Sequence, residues 1–174
     1  MKYVYLLSLL FACLSNANAQ CSLQNYKTDG GTVVREAKPE ILYENRGVNN
    51  NGDLTQGYTR VHGRFSRYIK AGSTVVQWQL QTMMSGNRNA EFVPRRLDFH
   101  FTDGRVLTLE ADTYDRQDGM KICTFKITGA AINTFKTPIQ TVDVIDTRLS
   151  TMYTGTQDFG LYSGVLAEQL ACLE

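Results

Sequence analysis

Between Tyr58 and Met83 two alternating patterns face each other across a glycine, and an antiparallel hairpin satisfies both. In the return strand Val76, Trp78 and Leu80 alternate with Gln77, Gln79 and Gln81. In the outgoing strand Phe65 and Ile69 alternate with Arg64, Ser66, Tyr68 and Lys70. A strand turns successive side chains to opposite faces, so each set lies on one side of a sheet. A two-residue Gly72-Ser73 loop of type II′ then pairs Ile69 with Val76 and Phe65 with Leu80. It pairs Tyr68 with Gln77, Ser66 with Gln79 and Arg64 with Gln81. Arg67 falls on the inner face opposite Trp78, within reach of a cation–π contact.

A second hairpin runs from Arg96 to Phe101 and from Arg105 to Asp112. A two-residue Asp103-Gly104 loop mixes polar and apolar faces. A three-residue Thr102-Asp103-Gly104 loop pairs Phe99 with Leu107 and Leu97 with Leu109. It also places Gly104 at the positive-φ position of a G1 bulge. A one-residue slip turns every side chain over, so the longer loop is the one predicted.

Further strands are expected at Thr32–Ala37 and Glu40–Asn45 as a pair, at Lys121–Thr128 with Cys123, Phe125 and Ile127 inward, and at Pro138–Ile145. Residues 20–31 read as an irregular lead-in and Val48–Asp53 as a loop. From about Gly160 to Cys172, Leu161, Val165, Leu166, Gln169 and Leu170 recur at helical spacing. The fold class expected is all-β and mainly antiparallel, a sandwich of about seven or eight strands with one C-terminal helix. A barrel is the alternative.

The chain has 174 residues, 43% hydrophobic and 20% charged, a composition that excludes a disordered or collagen-like chain. Lys2, the apolar run Val4–Leu14 and the small-x-small Ala17-Asn18-Ala19 together resemble a bacterial export signal. Cleavage after Ala19 is expected, leaving residues 20–174 as one secreted or periplasmic domain. Leu10-Phe11-Ala12-Cys13 loosely resembles a lipobox, but a lipid anchor at Cys13 is the less favoured alternative, because the charged and apolar parts before it are short. The apolar run falls short of the ~20 residues that span a bilayer, and no later segment is long enough. Cleavage also removes Lys2, leaving 17 basic against 17 acidic side chains. Zero net charge argues against a nucleic-acid partner.

Cys21, Cys123 and Cys172 remain after cleavage, an odd number. The preferred disulfide joins Cys123 to Cys172, pinning the helix to a core strand. Cys21 is the competitor for either partner and otherwise a free or intermolecular thiol.

Chemistry-bearing residues are few. Asp98 and His100 share a strand face and are the only pair placed for hydrolytic or metal chemistry. No third ligand and no nucleophile motif accompanies them. Asp112, Asp115 and Asp118 lack the alternate spacing of a calcium loop and read as a polar turn. Asn49-Asn50-Asn51-Gly52-Asp53 is turn chemistry as well. No cofactor motif is present, and no metal site is expected.

The surface with most to offer is the outer face of the first hairpin. Arg60, His62, Arg64, Tyr68 and Lys70 stand on one strand, with Gln77, Gln79 and Gln81 opposite. Aromatic rings stack and amides both donate and accept, which suits sugar hydroxyls or a peptide backbone. The bland alternative is a solvated face balanced by acidic neighbours such as Glu110 and Asp112. The function expected is a non-enzymatic binding module for a glycan or a protein. Alternatives are a cell-envelope assembly protein, joined through an edge strand or Cys21, and a small hydrolase using Asp98 and His100.

Overall fold

The computed structural model describes residues 21–45, 59–85, 91–156 and 160–174. The expected signal peptide and the loop at Val48–Asp53 lie outside these residues. Among the described residues eleven strands form two separate antiparallel sheets, neither of them closed. They are β1 (Leu23–Lys27), β2 (Val33–Ala37), β3 (Glu40–Asn45), β4 (Thr59–Ile69), β5 (Val76–Ser85), β6 (Arg96–Phe101), β7 (Val106–Glu110), β8 (Thr113–Gln117), β9 (Met120–Ile127), β10 (Ile139–Asp146) and β11 (Thr151–Thr156). The larger sheet runs β1-β2-β4-β5-β9-β8 with β3 also on β4, and the smaller runs β11-β10-β6-β7. A short helix α1 (Gly129–Ile132) leads into a 3-10 turn at Asn133–Lys136, and helix α2 (Val165–Leu173) ends the chain. This is a β-sandwich with a C-terminal helix.

Both predicted registers are present. Ile69 pairs with Val76, Phe65 with Leu80 and Tyr68 with Gln77. Phe99 pairs with Leu107 and Leu97 with Leu109, with Gly104 at φ 83°. The first turn differs from expectation. Ser73 N donates to Lys70 O at 2.9 Å, so the turn is Lys70–Ser73 with Gly72 third, at φ 75°. The Ser73 hydroxyl then accepts from Val75 N at 3.0 Å, which draws Thr74 and Val75 out of the ladder.

Contrary to the strand pair expected at Thr32–Ala37 and Glu40–Asn45, β2 and β3 do not pair with each other. Only Lys38 and Pro39 separate them, and both lie along the same edge of β4. Glu36 pairs with Ser66 and Glu40 with Gly63. The join leaves a gap in the ladder, and Gln169 of α2 fills it. Its Nε2 donates to Lys38 O and Gly63 O at 3.0 Å, and its Oε1 accepts from Phe65 N at 2.9 Å.

α2 therefore packs on the inner face of the larger sheet, against β2, β3 and β4. The smaller sheet supplies Leu97, Phe99, Val142 and Val144 to the same core. Phe135 joins the two layers, edge-on to Phe65 and Phe99 with ring centroids 5.1 Å apart.

The disulfide joins Cys21 to Cys172, with Cα atoms 5.6 Å apart, and not Cys123 to Cys172. Cys123 is a buried thiol on β9. β9 lies two strands from β4, about 10 Å at ordinary strand spacing, and a bridge spans only up to about 7 Å between Cα atoms. Cys21 instead precedes β1, where Lys38 N donates to Ser22 O at 3.0 Å and holds the segment beside α2.

Three strands were not expected. β1 replaces the irregular lead-in, β11 follows β10, and β8 replaces the polar turn at Asp112–Asp118. β8 is exposed at all five residues, so no alternation marks it. Its signal was Asp118-Gly119, both at positive φ (51° and 79°), a two-residue hairpin turn that closes Gln117 on Met120. Among the described residues no helix is long and apolar enough to cross a membrane.

Candidate functional site

Strand parity assembles the candidate face. The register places Tyr26, Val34, Tyr68 and Gln77 in one cross-strand row on the outer face of the larger sheet. The next row is Gln24, Glu36, Ser66, Gln79 and Lys126. Beyond it stand Arg64, Gln81 and Thr124, then His62 and Met83, then Arg60. The smaller sheet and α2 both cover the opposite face.

The centre of this face is Glu36, which is 6% exposed. Its Oε1 accepts from Tyr26 Oη at 3.0 Å and from Ser66 Oγ at 3.3 Å, and its Oε2 pairs with Arg64 Nη1 at 3.2 Å. Arg64 Nε also donates to Gln81 Oε1 at 2.9 Å. Burial, then the hydrogen bond to Glu36 and its charge, push the Tyr26 phenol up to about 12. Burial raises Tyr68 as well.

The acids that balance Arg64 and Arg60 are thus Glu36 and Glu44, while Asp112 balances Lys126 and Glu110 lies on the smaller sheet. Arg60 Nη2 pairs with Glu44 Oε1 at 3.0 Å. Desolvation, with Arg60 beside it, holds the His62 imidazole below its usual value. Arg60 and His62 therefore form an end of the face occupied with Glu44, apart from the Glu36 centre.

The glutamines divide differently. Gln81 is held by Arg64, whereas the carboxamides of Gln77 and Gln79 make no side-chain hydrogen bond to any described residue. Beside them β9 ends, and a cavity of about 300 Å³ opens. Val76, Gln77, Trp78 and Gln79 of β5 line it, with Lys126, Ile127, Thr128 and Gly129 opposite. Trp78 is 8% exposed, with the Arg67 guanidinium 5.8 Å from the ring centroid, as parity predicted. Lys126 Nζ is bound to Asp112 Oδ1 at 3.0 Å.

Sequence reasoning missed Glu36, Tyr26 and Ser66 in this network. Glu36 was readable only once β2 was known to pair with β4. Two further hollows flank α2, one of about 460 Å³ at Leu161–Val165 and one of about 190 Å³ beside the disulfide.

Asp98 and His100 lie on the outer face of the smaller sheet. Arg96 holds Asp98 through two contacts, at 2.9 and 2.7 Å. Partial burial works to raise the Asp98 carboxyl, but hydrogen bonds from Arg96 and Thr108 outweigh it and hold the group low. His100 Nε2 is 3.0 Å from Asp143 Oδ2, and Thr154 Oγ1 donates to Asp143 Oδ1 at 2.7 Å. The hydroxyl thus sits on the carboxylate, not on the imidazole it would need as a base. Among the described residues no group of three or more His, Cys, Asp or Glu side chains is placed to hold a metal ion.

Comparison with protein-family models, with curated proteins and with solved structures finds no match to this chain.

Proposed function

We propose that this protein is an exported, non-enzymatic binding module whose contact surface is the outer face of the larger sheet. The observation that carries the reading is the orientation of that sheet. Tyr68, Gln77 and Gln79 point away from both the second sheet and α2, and the two carboxamides bond to no side chain or backbone group among the described residues. An internal network that fixes Arg64 and Tyr26 while leaving amides free is a preorganised polar surface. Export is supported by the Cys21–Cys172 disulfide, which persists in oxidising compartments. The same disulfide removes Cys21 as a thiol for intermolecular assembly, so an assembly role rests on an edge strand, of which β8 is exposed at all five residues.

The test is a thermal-shift screen of the purified protein against glycans, calcium, zinc and acidic peptides. It is repeated with Arg64→Ala, Tyr68→Ala and Gln79→Ala. A ligand at a hundred times its Kd adds about 2.7 kcal/mol, a readily measured shift. A shift lost in Gln79→Ala and Tyr68→Ala supports the reading. A shift that survives all three variants places binding elsewhere and overturns it. Reversible dimerisation in sedimentation equilibrium, abolished by a proline in β8, favours assembly instead.

A further inference from the structure

We propose that the cavity where β9 ends beside β5 is a strand-addition site for an extended, uncharged segment of a partner protein. This rests on the outer-face reading and gives it a class of partner.

β5 outruns its neighbour. Its last pair with β9 is Trp78 with Ile127, whereas its pairing with β4 continues through Gln77 with Tyr68 to Val76 with Ile69. β4 therefore holds Val76 and Gln77 extended where, among the described residues, no strand pairs with their other side. In an antiparallel ladder alternate residues turn both N–H and C=O towards the same neighbour. One of Val76 and Gln77 thus presents both groups to the space beyond the end of β9. An unpaired edge of this kind is a template for another extended chain.

The cavity of about 300 Å³ is that space. Thr128 and Gly129 close it where the chain leaves β9 for α1, and a Cβ on Gly129 would meet no atom within 4 Å. Because it lies at a strand edge, it is lined from both faces of the sheet. Val76, Trp78 and Ile127 stand on the core side, and Gln77, Gln79 and Lys126 on the outer side. A single ring meets one of these faces. An extended chain meets both, since its successive side chains alternate across the sheet. The walls then specify the alternation. An apolar side chain faces Val76 and Trp78, and the next, an amide or hydroxyl, stands beside Gln77 and Gln79, whose carboxamides both donate and accept.

Charge complementarity narrows the segment further. Lys126 is the one cation lining the cavity, and Asp112 neutralises it through both the ammonium, at 3.0 Å, and the Lys126 backbone N–H, at 2.6 Å. Among the described residues no carboxylate lines the cavity. A charged side chain would enter without a counter-ion, so the segment that fits is uncharged.

Trp78 is the single tryptophan of the chain, so its emission reports on this site. The experiment titrates the protein with an array of acetylated, amidated heptapeptides. In these, valine, leucine or phenylalanine alternates with serine, threonine or glutamine, and a short ethylene-glycol tail keeps them soluble. The comparison peptides carry the same residues in two blocks, or glutamate or lysine at the polar positions, or N-methyl groups on alternate backbone amides in either of two registers. Neutral hexasaccharides are titrated beside them.

At least one alternating neutral peptide is expected to shift the emission. Its Kd is expected to rise tenfold or more on N-methylation in one register but not the other. Gly129→Phe, which brings bulk to the rim of the cavity, should raise it as much, and Val106→Ala on the other sheet should leave it unchanged. Silence from every alternating peptide overturns the proposal, as does equal binding of the block peptides or of both N-methylated registers. Peptide binding lost in Arg64→Ala and Tyr68→Ala but kept in Gly129→Phe overturns this site and leaves the outer-face reading standing. A response to charged peptides alone, or to hexasaccharides alone, refutes the uncharged-peptide class and again leaves that reading standing. Binding that survives all three variants overturns both.

Discussion

The side chain of Gln169 stands in for a missing stretch of β-ladder at Phe65. Its Oε1 accepts the Phe65 N–H at 2.9 Å, and its Nε2 spans the carbonyls of Gly63 and Lys38. The gap arises because Lys38-Pro39 breaks the strand along this side of β4 into β2 and β3, and Pro39 has no N–H to offer. A terminal helix thereby becomes part of the larger sheet's hydrogen bonding. The same helix is tied to Cys21 by the disulfide, so the segment before β1 and the C-terminal helix converge on β2 and β4.

Gln169→Leu is expected to lose about 2–4 kcal/mol. Substitution leaves Phe65 N–H and Gly63 C=O buried without partners, at about 1–3 kcal/mol each, while Lys38 O turns to water. Urea denaturation with an unchanged slope checks this. Gln169→Glu restores an acceptor for Phe65 but sets a carboxylate against two carbonyls. Its folded-state pKa is raised, so the variant recovers stability as pH falls through that value and the carboxyl gains a donor.

The contrast with the hairpins shows where legibility ends. The Ile69/Val76 and Phe99/Leu107 registers could be read because each rests on local alternation around a turn, and a slip would bury polar side chains. Gln169, by contrast, answers a gap between β2, β3 and β4 that exists only after tertiary pairing. The candidate face was readable as parity on β4 and β5, yet its centre at Glu36 was not, since it depends on which strand β2 joins. β8 escaped notice because exposure on both faces erases the period of two. The cysteine pairing was open because three thiols admit three single bridges, and only the position of α2 chooses among them.

Cys172→Ser and Cys21→Ser are each expected to lose about 2–5 kcal/mol. The bridge closes a separation of 151 residues, for which the chain-entropy account gives about 5 kcal/mol. The two variants match each other and the reduced protein in thermal melts. Cys123 behaves differently, because burial pushes its thiol up to about 12 and keeps it from reacting. A thiol reagent modifies Cys123 only after denaturant is added, and Cys123→Ala leaves the oxidised bridge intact.

Tyr26 is expected to titrate near pH 12, above its usual value near 10. The folded pKa lies above the unfolded one, so its contribution to stability is complete below pH ~10 and is lost as pH rises through about 12. Absorbance at 295 nm over an alkaline titration reveals the late-ionising phenol. Tyr26→Phe removes that step. Glu36→Gln lowers the step towards pH 10, because the charge that opposes ionisation is gone.

Gly155→Ala tests the contact between the edges of the two sheets. Gly155 on β11 pairs with Val142, and a Cβ added there would run into ring carbons Cδ2 and Cε2 of Tyr43 on β3. The Tyr43 ring is 2% exposed and has no free space to turn into. Overpacking of this kind costs about 1–3 kcal/mol, and the expected loss is about 2 kcal/mol. In a Tyr43→Leu background the smaller side chain makes room, so the same substitution is close to neutral. The difference between the two backgrounds is the coupling energy of the pair, measured by a double-mutant cycle in urea. An equal loss in both backgrounds would locate the strain in β11 itself and not at its meeting with β3.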